Sequence, residues 1–84
     1  EIHEEEIKLE DKIKEIDAYI QAGKNVSFFQ IIRIQKTKES AIVAFLSILE
    51  LMKQSRIRAY QKSDQGDIIL EALERENERK NGED

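Results

Sequence analysis

The chain contains no cysteine, and among its 84 residues it has a single histidine, His3. Without thiols, no disulfide can stabilise the fold and no thiolate can bind a metal, and nothing points to an oxidising compartment. One imidazole close to the start of the chain cannot complete a Cys/His nucleophile pair or a zinc site. We therefore expect a protein that is not an enzyme, with no catalytic residue, no cofactor and no metal.

Long apolar runs are also missing, since no stretch approaches the ~18 residues that a membrane-spanning helix needs. The sequence shows no signal-peptide pattern and begins with Glu1 instead of Met, so we expect a piece of a longer cytoplasmic polypeptide. Its length allows one small domain. A composition of 39% hydrophobic and 38% charged residues suits a soluble, helix-rich unit.

Two local patterns resemble catalytic or phosphate-binding motifs only superficially. Clustered carboxylates at residues 4–6 and 10–11 lie on polar segments, where nothing would raise their pKa values. Gly23-Lys24-Asn25 lacks both the preceding glycine and the Ser or Thr that a phosphate-binding loop requires. Neither pattern supports an enzymatic function.

Charge is unevenly distributed along the chain, whose net charge is −4. Residues 1–22 carry eight acids and three bases, and residues 71–84 carry six acids and three bases. Residues 30–62 instead carry seven bases and two acids, a net of +5. Such a basic block can meet nucleic acid or an acidic protein surface, or can simply balance the acidic flanks.

Apolar spacing and capping residues predict three helices. Ile7, Leu9, Ile13, Ile16 and Ile20 form one stripe of a first helix, which ends at residue 22 with Gly23 in the C′ position. Ser27 and Gln30 have the spacing of a capping box before a second helix over 28–34, after a short connector at 24–26 that can be extended. Thr37 can cap a third helix over 38–54.

The third helix is apolar around more than half of its circumference. Its central stripe contains Ile42, Phe45, Leu46, Leu49 and Met52, with Ile48 and Leu51 on one flank and Val43 on the other side. A narrow polar strip contains Ser40, Ser47, Glu50 and Gln54. Because a surface helix needs an apolar arc of only ~100°, this width predicts contacts on more than one side.

The segment that follows predicts a β-hairpin. Ile57, Ala59 and Gln61 alternate with Arg56, Arg58, Tyr60 and Lys62, turn residues occupy 63–66, and a β-branched run starts at Asp67. Helix, helix, helix and hairpin define a winged helix, mainly α with a small hairpin, over residues 7–72. Residues 1–6 are expected to form a disordered acidic leader and residues 73–84 an acidic tail, with a few helical turns after Leu70 as the alternative.

Two binding functions fit this architecture. A winged helix commonly lays its third helix in the major groove of DNA, but the polar strip here offers only Ser40, Ser47, Glu50 and Gln54 for that contact. The alternative is a protein-docking module, in which apolar residues left over from the core meet a partner; the candidates are Ile48, Leu51, Tyr60 and Ile69. Burial inside the domain is the competing explanation for each of them.

Four separated pieces of the sequence occur in the same order as in the C-terminal winged-helix domain of the kleisins and resemble it. Among the kleisins, the resemblance is to the bacterial segregation and condensation protein A family. The pieces are FLSILELMK at 45–53, Ile57, Gln61 and Gly66-Asp67-Ile68. The entry into the second helix at 26–28 and the helix around 11–13 are also similar, so the resemblance covers residues 9–70. Gln65 stands where the family usually has an aromatic residue, and Ser55 where Gly is common.

The resemblance implies a function in chromosome condensation and segregation during the cell cycle. It implies docking on the ATPase head of a structural-maintenance-of-chromosomes (SMC) protein, which closes a ring, with segregation and condensation protein B bound elsewhere in the full-length protein. Contact with DNA would come through the complex or be weak, with no membrane contact and a cytoplasmic, nucleoid-associated location. From the predicted faces we expect the docking residues to be Leu51, Arg58, Tyr60, Ile69 and Leu70.

Overall fold

The structure, a computed structural model, describes residues 6–62 and 66–74. Helix α1 spans Leu9–Gly23, strand β1 Asn25–Ser27, helix α2 Phe28–Arg33, helix α3 Lys38–Lys53, strand β2 Ile57–Gln61 and strand β3 Ile68–Ala72. This order confirms the predicted winged-helix architecture, with β1 as a third strand. The predicted leader and tail, apart from residues 6, 73 and 74, lie outside the described residues, as does the turn at 63–65.

The end of α1 differs by one residue from the predicted cap. Lys24, not Gly23, takes the positive φ of 71° and donates its backbone N–H to the Ile20 carbonyl oxygen. Gly23 belongs to the helix, where a Cβ atom would lie 2.6 Å from Cγ1 of Val26. The glycine is therefore required for the close approach of β1 to the helix, because that distance is too short for two carbon atoms.

The caps of α2 and α3 are formed by the predicted residues. Ser27 Oγ accepts a hydrogen bond from the Gln30 N–H at 3.0 Å, and Thr37 Oγ1 accepts one from the Ser40 N–H at 2.9 Å. Each bond satisfies an amide that the helix itself leaves without a partner. These local signals therefore place both helix starts correctly.

Gln35 connects all three helices in the turn between α2 and α3. Its Nε2 donates to the Ile31 carbonyl oxygen at 2.8 Å. Its Oε1 accepts hydrogen bonds from Ser40 Oγ at 2.6 Å and from Lys12 Nζ at 3.2 Å. A residue expected only to form a turn thus fixes the relative positions of the helices.

The sheet is antiparallel, with β3 between β1 and β2. Tyr60 lies opposite Ile69 and Arg58 opposite Glu71, which confirms the predicted hairpin and its alternation. Val26 lies opposite Leu70, so the predicted extended connector is strand β1. The chain continues as strand to Ala72, which corrects the alternative of a helix directly after Leu70.

Asp67, at the turn end of the β2–β3 hairpin, attaches the hairpin to the start of α2. The Ser27 hydroxyl donates to Asp67 Oδ2 at 2.5 Å, the Ile68 N–H donates to Oδ1 at 2.6 Å, and the Phe29 N–H lies 3.4 Å from Oδ1. The Ser27 hydrogen bond is the main reason that the pKa of Asp67 is lowered; burial opposes it, and the Ile68 and Phe29 amides and the Arg33 charge contribute less. The ionised carboxylate therefore holds strand and helix together.

The core lies between α1, α3 and the inner face of the sheet. Its fully buried apolar members come from every layer: Ile16, Ile20, Ile31, Ala44, Ile48, Leu51, Ile57 and Leu70. The contact between α1 and α3 is the most extensive between any two helices. None of the described helices has the length and apolar character needed to cross a membrane.

Candidate protein-docking surface

The structure separates the five predicted docking residues into two groups. Leu51 and Leu70 are core residues, each only 1% exposed, because α3 turns Leu51 inward and Leu70 points to the inner face of the sheet. They offer no surface to a partner in this conformation. Arg58 and Tyr60 are exposed and Ile69 is partly buried, and the strand register places these three together on the outer face of the sheet.

Among the described residues, half of the ten large hydrophobic side chains that are exposed lie on α3. Five large side chains, here called the α3 stripe, follow one another along the helix and are 37–53% exposed: Ile42, Phe45, Leu46, Leu49 and Met52. The sequence pattern placed these residues at the centre of an apolar arc that was expected to make contacts on more than one side, and in the structure they are exposed. The stripe lies on the side of the helix that a DNA-binding winged helix would present to the groove.

The opposite side of α3 forms the core, through Ala44, Ser47, Ile48 and Leu51. Ser47 is fully buried although it was predicted to be in the polar strip, and its hydroxyl donates to the Val43 carbonyl oxygen at 2.8 Å. This bond removes the cost of burying the hydroxyl. Ala44 and Ser47 are small and fully buried, and α1 is the helix in most extensive contact with α3, so small side chains on the inward side are compatible with close helix packing.

An apolar groove lies beside the α3 stripe, between α2 and α3. This α2–α3 groove has a volume of about 630 Å³ and is lined by Phe28, Phe29, Ile32, Arg33, Lys38, Ala41, Ile42 and Phe45. The Phe28 ring packs edge-on against Phe45, with 6.0 Å between the ring centroids, and lies 5.8 Å from Phe29. Ile42 and Phe45 belong to both features, so stripe and groove form one continuous surface.

Ion pairs neutralise part of the basic block. Arg56 Nη2 lies 2.9 Å from Asp17 Oδ2, in a half-buried pair that joins α1 to the start of β2. Arg58 Nε lies 2.6 Å from Glu71 Oε1, across the two strands, and the guanidinium also lies 5.8 Å from the Tyr60 ring centroid. Within residues 6–62 and 66–74, no group of acidic residues and histidine has the arrangement of a metal site.

The fold and this surface define a class: a winged helix whose third helix presents large apolar side chains where a DNA-binding member would present polar ones. The family profile described as "Segregation and condensation protein ScpA" matches residues 1–73. A segregation and condensation protein A from Caldanaerobacter subterraneus subsp. tengcongensis is 37% identical over 76 residues, which cover 90% of this chain and 31% of that protein. The same-named protein of Clostridium tetani is 38% identical over 78 residues, covering 93% of this chain and 30% of that protein.

A third relative gives the same family. The segregation and condensation protein A of Clostridium acetobutylicum is 39% identical over 66 residues, which cover 79% of this chain and 26% of that protein. The chain therefore belongs to the segregation and condensation protein A family, as its sequence resemblance indicated. It spans less than a third of the length of these three relatives.

Proposed function

We propose that this chain is the C-terminal domain of a bacterial kleisin, that it docks on the ATPase head of an SMC protein, and that docking closes the ring that condenses and segregates chromosomes. The α3 stripe is the observation that carries the proposal. Five large apolar side chains on one helix face cost free energy in water, and a contiguous exposed patch of this kind marks a protein contact. The site does not catalyse; it acts as a clamp.

The α3 stripe is the proposed contact surface. Phe45, Leu46 and Leu49 lie at its centre, where the residues that dominate binding energy are usually found. Arg58, Tyr60 and Ile69, on the outer face of the sheet, form the competing surface that the sequence suggested. Binding of segregation and condensation protein B belongs to other parts of the full-length protein, and a nucleoid-associated, cytoplasmic location follows from the proposed complex.

A DNA-binding winged helix is the alternative function, and the stripe argues against it. Helices that read a major groove present side chains that hydrogen-bond to base edges and phosphates. The exposed face of α3 presents leucine, isoleucine and phenylalanine instead. Arg56 and Arg58 are already engaged by acidic residues, which removes two of the bases that would contact phosphate.

The test compares the two surfaces by isothermal titration of the cognate SMC ATPase head with the 84-residue chain. Leu46→Gln with Leu49→Gln keeps helix propensity, and we expect it to weaken the affinity roughly thirty-fold or more. Tyr60→Ala with Ile69→Glu should leave the affinity within a few fold. If the sheet variant lost affinity and the stripe variant did not, the contact surface would be the outer face of the sheet. Submicromolar binding of duplex DNA by the wild type, with a steep dependence on salt, would support the alternative function.

A further inference from the structure

The α2–α3 groove combines an apolar floor with cationic edges. Phe28, Ile32 and Ala41 are among the residues that form the floor, between the two helices. Arg33, in the last turn of α2, and Lys38, in the first turn of α3, supply the charge, and none of the described residues that line the groove is acidic. The groove thus has the chemistry to hold an apolar side chain between two positive charges.

Arg33 and Lys38 are available to a partner. Among the described residues neither makes an ion pair, in contrast to Arg56 and Arg58. Arg33 is close enough to Asp67 to help lower the pKa of that carboxyl group. The hydrogen bonds to the Asp67 oxygens, however, come from the Ser27 hydroxyl and from the Ile68 and Phe29 amides, and none comes from Arg33.

We infer that the α2–α3 groove receives a large apolar side chain from an acidic segment of the partner that docks on the α3 stripe, an inference that rests on the proposed function. Stripe and groove share Ile42 and Phe45, so a segment lying along the stripe reaches the groove without a gap. Carboxylates flanking that apolar side chain would meet Arg33 and Lys38, which is charge complementarity across one interface. A nucleic-acid backbone fits less well, because its phosphates would lie over isoleucine and alanine.

The experiment measures how the affinity of the 84-residue chain for the cognate SMC head depends on sodium chloride, from about 50 to about 300 mM. Arg33→Glu with Lys38→Glu should weaken binding about ten-fold or more at low salt, and the salt dependence should flatten or reverse. Lys8→Glu with Lys14→Glu is the matched control: it makes the same change in net charge on α1, away from the groove, and should change affinity by less than about three-fold.

Two further variants keep the inference testable if charge reversal harms folding. Arg33→Gln with Lys38→Gln introduces no new charge and should still flatten the salt dependence. Ala41→Met fills the groove without any change of charge and should weaken binding by about five-fold or more, because the partner side chain is excluded. Circular dichroism confirms that each variant is folded before its affinity is compared.

The outcomes separate this inference from the proposed function. One outcome is that the Leu46→Gln, Leu49→Gln variant no longer binds the SMC head, while the groove variants bind it with the affinity and salt dependence of the wild type. That result would overturn the groove inference and leave the docking function standing. If the wild type does not bind the head, both are overturned. If the Arg33→Gln, Lys38→Gln variant no longer binds a fluorescently labelled duplex DNA that the wild type binds, but still binds the SMC head, the groove is a nucleic-acid contact. The inference is then also overturned.

Discussion

At the scale of single residues, the backbone conformation of Ser55 explains why glycine is common at this position in the family. Its φ of 61° lies in the left-handed region, where glycine carries no steric penalty and other residues do. We expect Ser55→Gly to raise the free energy of unfolding by about 1 kcal/mol, or roughly 4–8 °C in Tm. Thermal unfolding followed by circular dichroism measures this change. Ser55→Ala, which keeps Cβ, is the control, and an equal gain from it would refute the explanation.

Asp67 makes stability depend on pH in a defined direction. The pKa of Asp67 in the folded chain is lower than the ordinary value of 3.8. The contribution of its ionised carboxylate to the free energy of unfolding is therefore fully present above pH 3.8, and it is lost as the pH falls through the folded pKa. Asp67→Asn should therefore lower Tm at about pH 7, and the difference from wild type should shrink as the pH is lowered below 3.8 and through the folded pKa.

The partner of Asp67 provides the control for that prediction. Ser27→Ala removes both the cap of α2 and the hydroxyl that binds Asp67. In a double-mutant cycle the two substitutions should be less than additive, because each breaks the same connection. Strict additivity would contradict the assignment.

Residues whose partners are close in sequence were predictable. Ser27 and Thr37 cap helices through amides three positions away, and both caps were found from sequence alone. The role of Asp67 depends on a contact with Ser27 across 40 positions, which spacing does not encode. Such a role can be recognised only once the fold is known.

At the scale of elements, α3 shows why periodicity did not give the buried face. Two sets of residues on this helix have the same i, i+3, i+4, i+7 spacing: Ile42, Phe45, Leu46 and Leu49 on one side, and Ala44, Ser47, Ile48 and Leu51 on the other. Hydrophobicity favours the first set, whereas the protein buries the second. Small residues at a closely packed helix contact were the signal that could have corrected the choice.

Two leucines on opposite faces of α3 test its orientation. Leu51 is buried and Leu49 is 45% exposed. Leu51→Ala should lower the free energy of unfolding by about 2–5 kcal/mol, because it leaves a cavity in the core. Leu49→Ala should lower it by about 0.5 kcal/mol or less. Urea unfolding of the two variants measures both values, and a reversed order would mean that the helix faces the other way.

At the scale of the whole molecule, the winged-helix architecture was predictable, whereas the proposed interaction surface was recognised only from the exposure of the α3 stripe. Capping, turn and alternation signals each act locally and agreed with the final topology. The proposed docking face could not be found in the same way, because large apolar side chains on a helix give the same sequence pattern whether the domain or a partner buries them. Leu51 and Leu70 were predicted to contact the partner but are buried in the core, whereas Leu46 and Leu49, which that prediction did not include, are exposed.

The central claim is that the α3 stripe is the face that contacts the SMC head, and site-specific photo-cross-linking tests it most directly. Benzoylphenylalanine replaces an aromatic residue in each of two otherwise identical chains, at Phe45 in the stripe and at Tyr60 on the outer face of the sheet, which are about equally exposed. We predict that the chain labelled at Phe45 becomes covalently joined to the head under illumination, whereas the chain labelled at Tyr60 does not. Cross-linking from Tyr60 alone would contradict the account.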